Sequence, residues 1–431
     1  MTRLPPGPTW RLHTSYKVLS DPVGYFLDCR ARYGDTFLCR TANGDVLATC
    51  DPAVIEAAMT APPTDLAAFK PEVLRDLLGA AVITLDGEAH RRQRRLLQPA
   101  FHGPRLAAFS SAIQDVARAT VQRWRPGETR VAMDEMLDIT FEVITRVVFG
   151  AEDPARVAAF KEQIRAISGT FAPSLLFFGF MRRSWAGLSP WNGFVAARTA
   201  LRALSDLEVA QRRAAGTEGR SDVLSMMIEA RYDDGSAMDE DQLFAELLTL
   251  LFAGHETTTI ALATAMELLA LHPEALGALR DELGPLNGDV AQVMRAPLLD
   301  ATCKEVLRLA DIVPDYLRTA HAPVQLGPHL LHAGEHLSIV SSLLHRREEL
   351  YPEPEAFRPA RFVDRPSTPF TFTPFGGGTR RCLGAALATQ EMKLVLDVVV
   401  REARWSVAGR SRLVRRSVTM APEGGARFVV G

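Results

Sequence analysis

Cys382 stands in the run Phe375-Gly376-Gly377-Gly378-Thr379-Arg380-Arg381-Cys382-Leu383-Gly384, with three consecutive glycines before it and another two residues after it. A helical pattern follows directly, from Leu383 to about Val400. A sulfur at a helix N-terminus meets free N–H groups and the positive end of the helix dipole, and both favour thiolate over thiol. Arg380 and Arg381 add positive charge in the same sense. The glycines carry no Cβ, so backbone can approach a flat ligand closely and turn its amides toward the sulfur. Three chemistries compete for such a cysteine. A phosphate-binding loop needs Gly-Lys-Ser/Thr after its glycines, and Arg381-Cys382 stands there instead. A thiol nucleophile needs a histidine partner, which sequence does not locate. An axial ligand to haem iron needs a held thiolate with an apolar shield, and Phe375 can provide the shield.

A second constellation is Ala253-Gly254-His255-Glu256-Thr257-Thr258-Thr259. It interrupts a pattern from about Asp239 to Leu271 that is apolar nearly all round, through Leu247, Leu248, Leu250, Leu251, Phe252, Ile260 and Leu262. Such a helix is buried. Asp239 with Gln242 makes a capping-box-like start, and His272-Pro273 makes the stop. At about 1.5 Å per residue the helix spans roughly 50 Å, the width of the molecule. A glycine and polar side chains inside it destabilise unless function or hydrogen bonding offsets them. Threonine hydroxyls bonded to carbonyls one turn back are expected to distort the helix and open a notch beside Ala253-Gly254. His255 reads as structural.

Two weaker groupings remain. Lys304-Glu305-Val306-Leu307-Arg308 sets Glu305 and Arg308 at i, i+3, ordinarily a surface pair worth a few tenths of a kcal/mol. Gly87-Glu88-Ala89-His90-Arg91-Arg92-Gln93-Arg94-Arg95 sets His90 and Arg94 on one helix face within a basic patch that wants an anionic partner.

The elements that must position these residues can be read from the rest of the chain. Its 431 residues are 47% apolar, with Lys+Arg 49 against Asp+Glu 51 and net charge −2. A large core is available, and the charge balance argues against a nucleic-acid binder. No linker or internal repeat divides the sequence, so one domain over 1–431 is expected. The first residues carry no apolar signal region and no 18-residue apolar run exists, which predicts a cytoplasmic protein without an anchor. Residues 1–20, with Pro5-Pro6-Gly7-Pro8, read as a stiff exposed entry segment. Five cysteines (29, 39, 50, 303, 382) form no Cys-x-x-Cys, as in a reduced compartment with one functional cysteine. A helix is expected over 21–33 and a hairpin over 36–40 and 45–49 around Asn43-Gly44, with a β-like end from Trp405 to Gly431. Most of the rest has helical period. The fold class is therefore mainly α with small β-sheets (α+β). The span from Pro62-Pro63 to Asp86-Gly87 reads as irregular. Residues 171–194, aromatic and broken by Gly179, Gly187 and Pro190, suit a moving cover.

Phe375, Gly378, Arg380, Cys382 and Gly384 fill Phe-x-x-Gly-x-Arg-x-Cys-x-Gly, which resembles the haem-binding signature of the cytochrome P-450 family. Residues 253–258 are similar to that family's Ala/Gly-Gly-x-Asp/Glu-Thr-Thr/Ser motif, and Pro359-Ala360-Arg361-Phe362 to its Pro-x-Arg-Phe segment. The resemblance covers about residues 20–400. It implies the P-450 fold, with haem b between the long helix and the cysteine-loop helix. Cys382 would bind the iron. Phe375, Gly376 and Gly384 would lie near the sulfur side, and Ala253 and Gly254 on the opposite face. His90, Arg94, Arg318 and Arg380 would meet the haem propionates. Thr257 would hydrogen-bond dioxygen and Glu256 would relay protons, an acid–alcohol pair suited to breaking the O–O bond. Glu305, Arg308 and Arg361 would form a buried triad holding the cysteine loop. Leu77, Leu78, Val82, Asp315 and Tyr316 would approach the substrate. One departure is Asp311-Ile312 where the family often has Pro-Pro; Pro314 is retained.

The implied activity is monooxygenation: one oxygen atom from O2 enters a C–H bond of a medium-sized apolar substrate such as a fatty acid, terpenoid or other natural product. No flavin or iron–sulfur segment is present, so electrons would come from a ferredoxin or flavodoxin with its NAD(P)H-dependent reductase, an acidic partner docking on the outward arginines of 91–95. Three rivals stand beside it. A peroxide-driven peroxygenase is disfavoured by Glu256-Thr257, since family members of that type lack the pair. A non-catalytic haem protein would show no substrate-induced spin-state shift. A thiol enzyme would purify colourless.

Overall fold

A computed structural model describes residues 5–69, 72–101, 103–150, 153–170, 190–363 and 367–431. The central helix runs Glu240–Leu271, and the rest of the molecule is laid against it. Asp239 caps it, Oδ1 accepting the Gln242 N–H at 2.7 Å. Its apolar circumference leaves no face suited to water. It packs on the helices Ala132–Phe149, Pro297–Leu309 and Ala385–Glu402. Their buried side chains merge into one large core.

A second core lies beneath a five-stranded sheet. Its order is Thr36–Thr41, Gly44–Thr49, His336–Ile339, Tyr316–Ala320 and Leu66–Ala68. The expected hairpin is present, Thr41 pairing with Gly44. Leu47 pairs in parallel with Leu337, and Leu337 antiparallel with Arg318. Because side chains alternate along a strand, Tyr316 and Arg318 share one face of the sheet and Asp315 belongs with the other. A C-terminal hairpin, Leu413–Arg416 with Thr419–Pro422, leans on the central helix. The Met420 N–H donates to the Ile312 carbonyl at 2.9 Å and ties the hairpin to the segment that enters the sheet.

Several elements differ from expectation. Within the N-terminal segment Arg11–Ser20 is a helix, tied down by Thr14 Oγ1 at 2.9 Å from Tyr25 Oη. The span after Pro62-Pro63 holds the Leu66–Ala68 strand and the helix Glu72–Leu78, both too short for a period to show. The helix after the cysteine begins at Ala385 with Gly384 as its N-cap, so Cys382 precedes the helix by more than one residue. The central helix runs unbroken through 253–259. Thr257, Thr258 and Thr259 do donate to the Ala253, Gly254 and His255 carbonyls, at 3.0, 3.4 and 2.9 Å, yet the backbone ladder survives. Of the expected cover, 171–189 lies outside the described residues. After it comes the helix Pro190–Ala215, in which Phe194 is buried with Trp191 stacked on it. No helix among the described residues is long and apolar enough to cross a membrane.

Candidate functional site

The cysteine loop is shaped by what lies behind it. Gly376 and Gly378 have φ of 65° and 63°, the left-handed region that disfavours a side chain. A Cβ on Gly377 would sit 2.2 Å from Met59 Sδ, and one on Gly378 2.5 Å from the Met59 carbonyl oxygen. The glycines thus let the loop lie flat on the helix Pro52–Thr60. The Cys382 N–H closes the loop on the Phe375 carbonyl at 2.9 Å. Sγ accepts from the Gly384 N–H, and Cys382 keeps accessible surface. Burial holds the thiol above its usual pKa, against the pull of Gly384, Arg381 and Arg94. Desolvation therefore outweighs the loop dipoles and arginines expected to favour thiolate; a coordinating metal ion would deprotonate the thiol outright.

Three arginines converge beside the loop. Arg380 is pushed down to about 10 by burial, with Asp86 pulling up and Arg318 and Arg94 pushing further down. Its Nη2 donates to the Leu85 carbonyl at 2.6 Å and to Asp86. Arg318 is lowered by burial and donates to its neighbour's carbonyl, Leu317, at 3.1 Å. Arg94 is lowered by burial, with Cys382 opposing. His90, on the same helix Gly87–Leu97, is buried. Among the described residues Asp86 is the carboxylate that acts on Arg380 and Arg318, so three clustered guanidinium groups call for further anions. The carboxylates of a haem are anions of the right kind. With an exposed Cys382 near Arg94, the residues fit that cofactor.

The central helix has one exposed stretch of its own. Ala253 is exposed in mid-helix and Gly254, Glu256 and Thr257 are partly so, while the turns on either side are largely buried. Cys382, Glu256, Tyr316 and Arg318 are each crowded by protein yet keep some accessible surface. Burial raises the Glu256 carboxyl, with Arg416 opposing. Gly254 has another reason to be small: a Cβ there would lie 2.8 Å from Ile144 Cδ1 of the neighbouring helix. His255 faces away into the core, stacked on Phe141 at 4.4 Å with Nδ1 2.5 Å from the Leu251 carbonyl.

Glu305 and Arg308 are a fully buried pair, not a surface one. Arg308 Nε and Nη2 donate to Glu305 Oε2 and Oε1 at 2.8 and 2.9 Å, and Arg361 Nε donates to Oε1 at 3.0 Å. Arg308 also holds the His345 carbonyl at 2.9 Å. His345 Nε2 in turn accepts the Thr373 N–H at 3.0 Å, just before Phe375. Burial beside Arg308 and Arg346 pushes His345 down to about 3, so its ring is neutral and free to accept. Nothing local in the sequence marks His345 for this position. Glu246 was equally hidden inside an apolar run. Its Oε1 accepts the Val82 N–H at 2.7 Å, clamping from above the loop whose Leu85 carbonyl and Asp86 hold Arg380 from below.

Other predicted positions fall differently. Leu77 and Leu78 belong to the main core and do not line the cavity; Val82 is buried beside them, whereas Ile83 is exposed. Asp315 accepts from Ser338 Oγ at 2.8 Å, and Tyr316 lies on the Arg318 face. Asp311, in place of proline, adopts a left-handed φ of 46° and pairs with Arg346 at 2.6 Å. The basic patch is largely answered within the chain: Arg92 pairs with Asp234 at 2.7 Å, Arg95 with Asp233 at 2.6 Å and Arg91 with Glu88 at 2.9 Å.

Comparison with known proteins gives the family and the fold. Residues 4–423 match the family model described as Cytochrome P-450. Cytochrome P-450 138 of Mycobacterium tuberculosis is 34% identical over 409 residues, covering 93% of this chain and 89% of that protein. Cytochrome P-450 135B1 of the same organism is 35% identical over 447 residues, covering 99% and 91%. The solved structure of cyanobacterial CYP120A1 with retinoic acid bound is similar over 100% of both chains, with TM-score 0.88 at 24% identity. The chain belongs to the cytochrome P-450 family of haem monooxygenases.

Proposed function

We propose that this enzyme inserts one oxygen atom of O2 into a C–H bond of a medium-sized, mainly apolar substrate, drawing electrons from an external ferredoxin or flavodoxin and its NAD(P)H-dependent reductase. The observations that support this reading are an exposed Cys382 in a glycine loop beside three arginines and, in an otherwise buried central helix, a stretch that leaves Glu256 and Thr257 part exposed. Haem b would be held by Cys382 at the iron and by Arg94, Arg318, Arg380 and His90 at its propionates. Bound there, the cofactor supplies the oxygen chemistry itself.

The protein's residues supply protons, orientation and shelter. Thr257 Oγ1 is anchored on the Ala253 carbonyl at 3.0 Å, which leaves its oxygen lone pairs for a second partner in the cavity. Glu256, its carboxyl raised by burial, holds a proton more readily than an exposed carboxyl does and can pass it on. Ile83 and Ala253 are exposed apolar residues, and if they line the substrate site they favour a substrate rich in C–H bonds. CYP120A1 holding retinoic acid fits a substrate of this size and character. The free, buried state of Cys29, Cys39, Cys50 and Cys303 accords with a cytoplasmic setting.

Two measurements test the reading. The reduced protein with carbon monoxide should give the strongly red-shifted Soret band of thiolate-ligated haem; a histidine-type band would remove Cys382 from its role. Thr257→Ala should slow product formation by roughly 10²-fold while NADH continues to be consumed. Unchanged product yield per NADH would retire the proton-delivery role.

A further inference from the structure

The cysteine loop is gripped on both arms by side chains from distant parts of the chain. Arg380 holds the arm just before the sulfur to the Leu85 carbonyl and Asp86. The entering arm, Phe372-Thr373-Pro374-Phe375, is held by His345. Thr373 is buried, so its N–H has no water to turn to, and His345 Nε2 accepts it at 3.0 Å. Pro374 has no N–H of its own to fix the arm. The Thr373 carbonyl accepts the Gly376 N–H at 3.0 Å, and the Phe375 carbonyl accepts the Cys382 N–H at 2.9 Å. Three successive bonds therefore run from the imidazole to the backbone of the residue that carries the sulfur.

The ring that starts this relay is itself held still. Its centroid lies 5.4 Å from that of Phe372 and 6.2 Å, edge-on, from that of Tyr351. Tyr351 Oη donates to the Thr371 carbonyl at 2.7 Å, which keeps the ring's neighbour on the same arm. On the backbone side, the His345 N–H donates to the Ser341 carbonyl at 2.9 Å, and the His345 carbonyl accepts from Arg308 at the same distance. An accepting Nε2 puts the single ring proton on Nδ1. Burial beside Arg308 and Arg346 keeps a second proton off, so the acceptor persists. Packing against Phe372 and Tyr351 would be served as well by phenylalanine; the acceptor would not. Without it a buried N–H is left unmet, and Thr373 can reach water only by moving the arm.

We propose that His345 is a positioning residue for the iron ligand: by accepting the Thr373 N–H it fixes the arm that places Cys382, and so keeps the sulfur bound as thiolate. This deepens the haem-thiolate reading above and rests on it. The test records the reduced carbon monoxide spectrum per bound haem, beside thermal unfolding, for the full-length protein and for His345→Phe, His345→Gln and His345→Asn. His345→Phe should shift the ratio of the red-shifted band to the unshifted one by roughly tenfold toward the unshifted form. His345→Gln, whose amide oxygen reaches about as far as Nε2, should restore most of the red-shifted band, and the shorter His345→Asn should not. A purely structural role would lower the melting temperature and leave the band of the bound haem where it is. The proposal falls if His345→Phe keeps the red-shifted band intact at any melting temperature. Should His345→Phe take up no haem, Gln ahead of Asn in red-shifted band or in haem uptake supports it, and equality overturns it. An unshifted band in the unaltered protein would instead retire Cys382 as the ligand, a failure distinct from that of His345.

Discussion

Glu305 accepts twice from Arg308, once from Arg361 and once from the Arg358 N–H, with no exposed surface of its own. Removing its carboxylate strands two guanidinium groups, one of them fully buried, a loss of about 3–5 kcal/mol for a buried pair. The damage should travel, because Arg308 holds His345 and His345 holds the backbone leading into the cysteine loop. Glu305→Ala is therefore expected to lower the melting temperature and the haem bound per chain together, measured by thermal unfolding and by absorbance. Gly378→Ala should lose haem by a different route, since its left-handed φ and the Met59 carbonyl leave no room for a methyl group. Gly409→Ala, with nothing within 4 Å, is the neutral control. Spacing alone made Glu305 and Arg308 an ordinary helix-surface pair. Only the distant Arg361 hinted otherwise, because burial is decided by packing that neighbours in sequence do not record.

Elements were legible in proportion to how locally they are specified. The central helix could be bounded almost to the residue because its cap and its apolar circumference lie within it. The Arg11–Ser20 helix and Leu66–Ala68 strand owe their existence to partners elsewhere, Tyr25 and the Tyr316–Ala320 strand, and escaped notice. The loop before the basic helix shows the same limit. It read as irregular chain over a pocket, yet it is clamped between Glu246 above and Arg380 below. Glu246→Leu should release it, seen as faster amide hydrogen exchange over 79–86 without a comparable change in the central helix. Glu246→Gln should behave as wild type, since its amide oxygen can still accept the Val82 N–H. Equal exchange in the Leu variant would show that Arg380 and packing hold the loop alone.

Across the whole molecule, the buried ionisable groups set opposing pH limits. Glu246 and Glu391 are each pushed up to about 8 by burial. A carboxyl whose folded pKa is raised binds more proton folded than unfolded, so its contribution fades as pH rises from its unfolded value, roughly 4.3, through about 8. His255 and His345 are pushed down by burial, to about 4 and about 3. Their neutral rings bind less proton folded than unfolded, so their contribution is present above about 6.5 and fades as pH falls toward those folded values. Asp35, Asp222 and Asp300, lowered despite burial by hydrogen bonds and ion pairs to neighbours, steepen the acid side further down. Between the unfolded histidine value and about pH 8 the raised carboxyls dominate, with buried thiols and tyrosines adding to the loss at still higher pH, and below the unfolded glutamate value the lowered groups dominate. Stability should therefore peak between roughly pH 4.5 and 6.5, falling on both sides in thermal unfolding followed across pH. Glu246→Gln should flatten the fall between pH 6.5 and 8 and leave the acid limb untouched, because the amide keeps the hydrogen bond and has no proton to lose. An alkaline limb unchanged in Glu246→Gln and Glu391→Gln alike would assign that slope to other groups, such as the Asp311 and Asp315 carboxyls or the Cys39, Cys50 and Cys303 thiols that burial also raises.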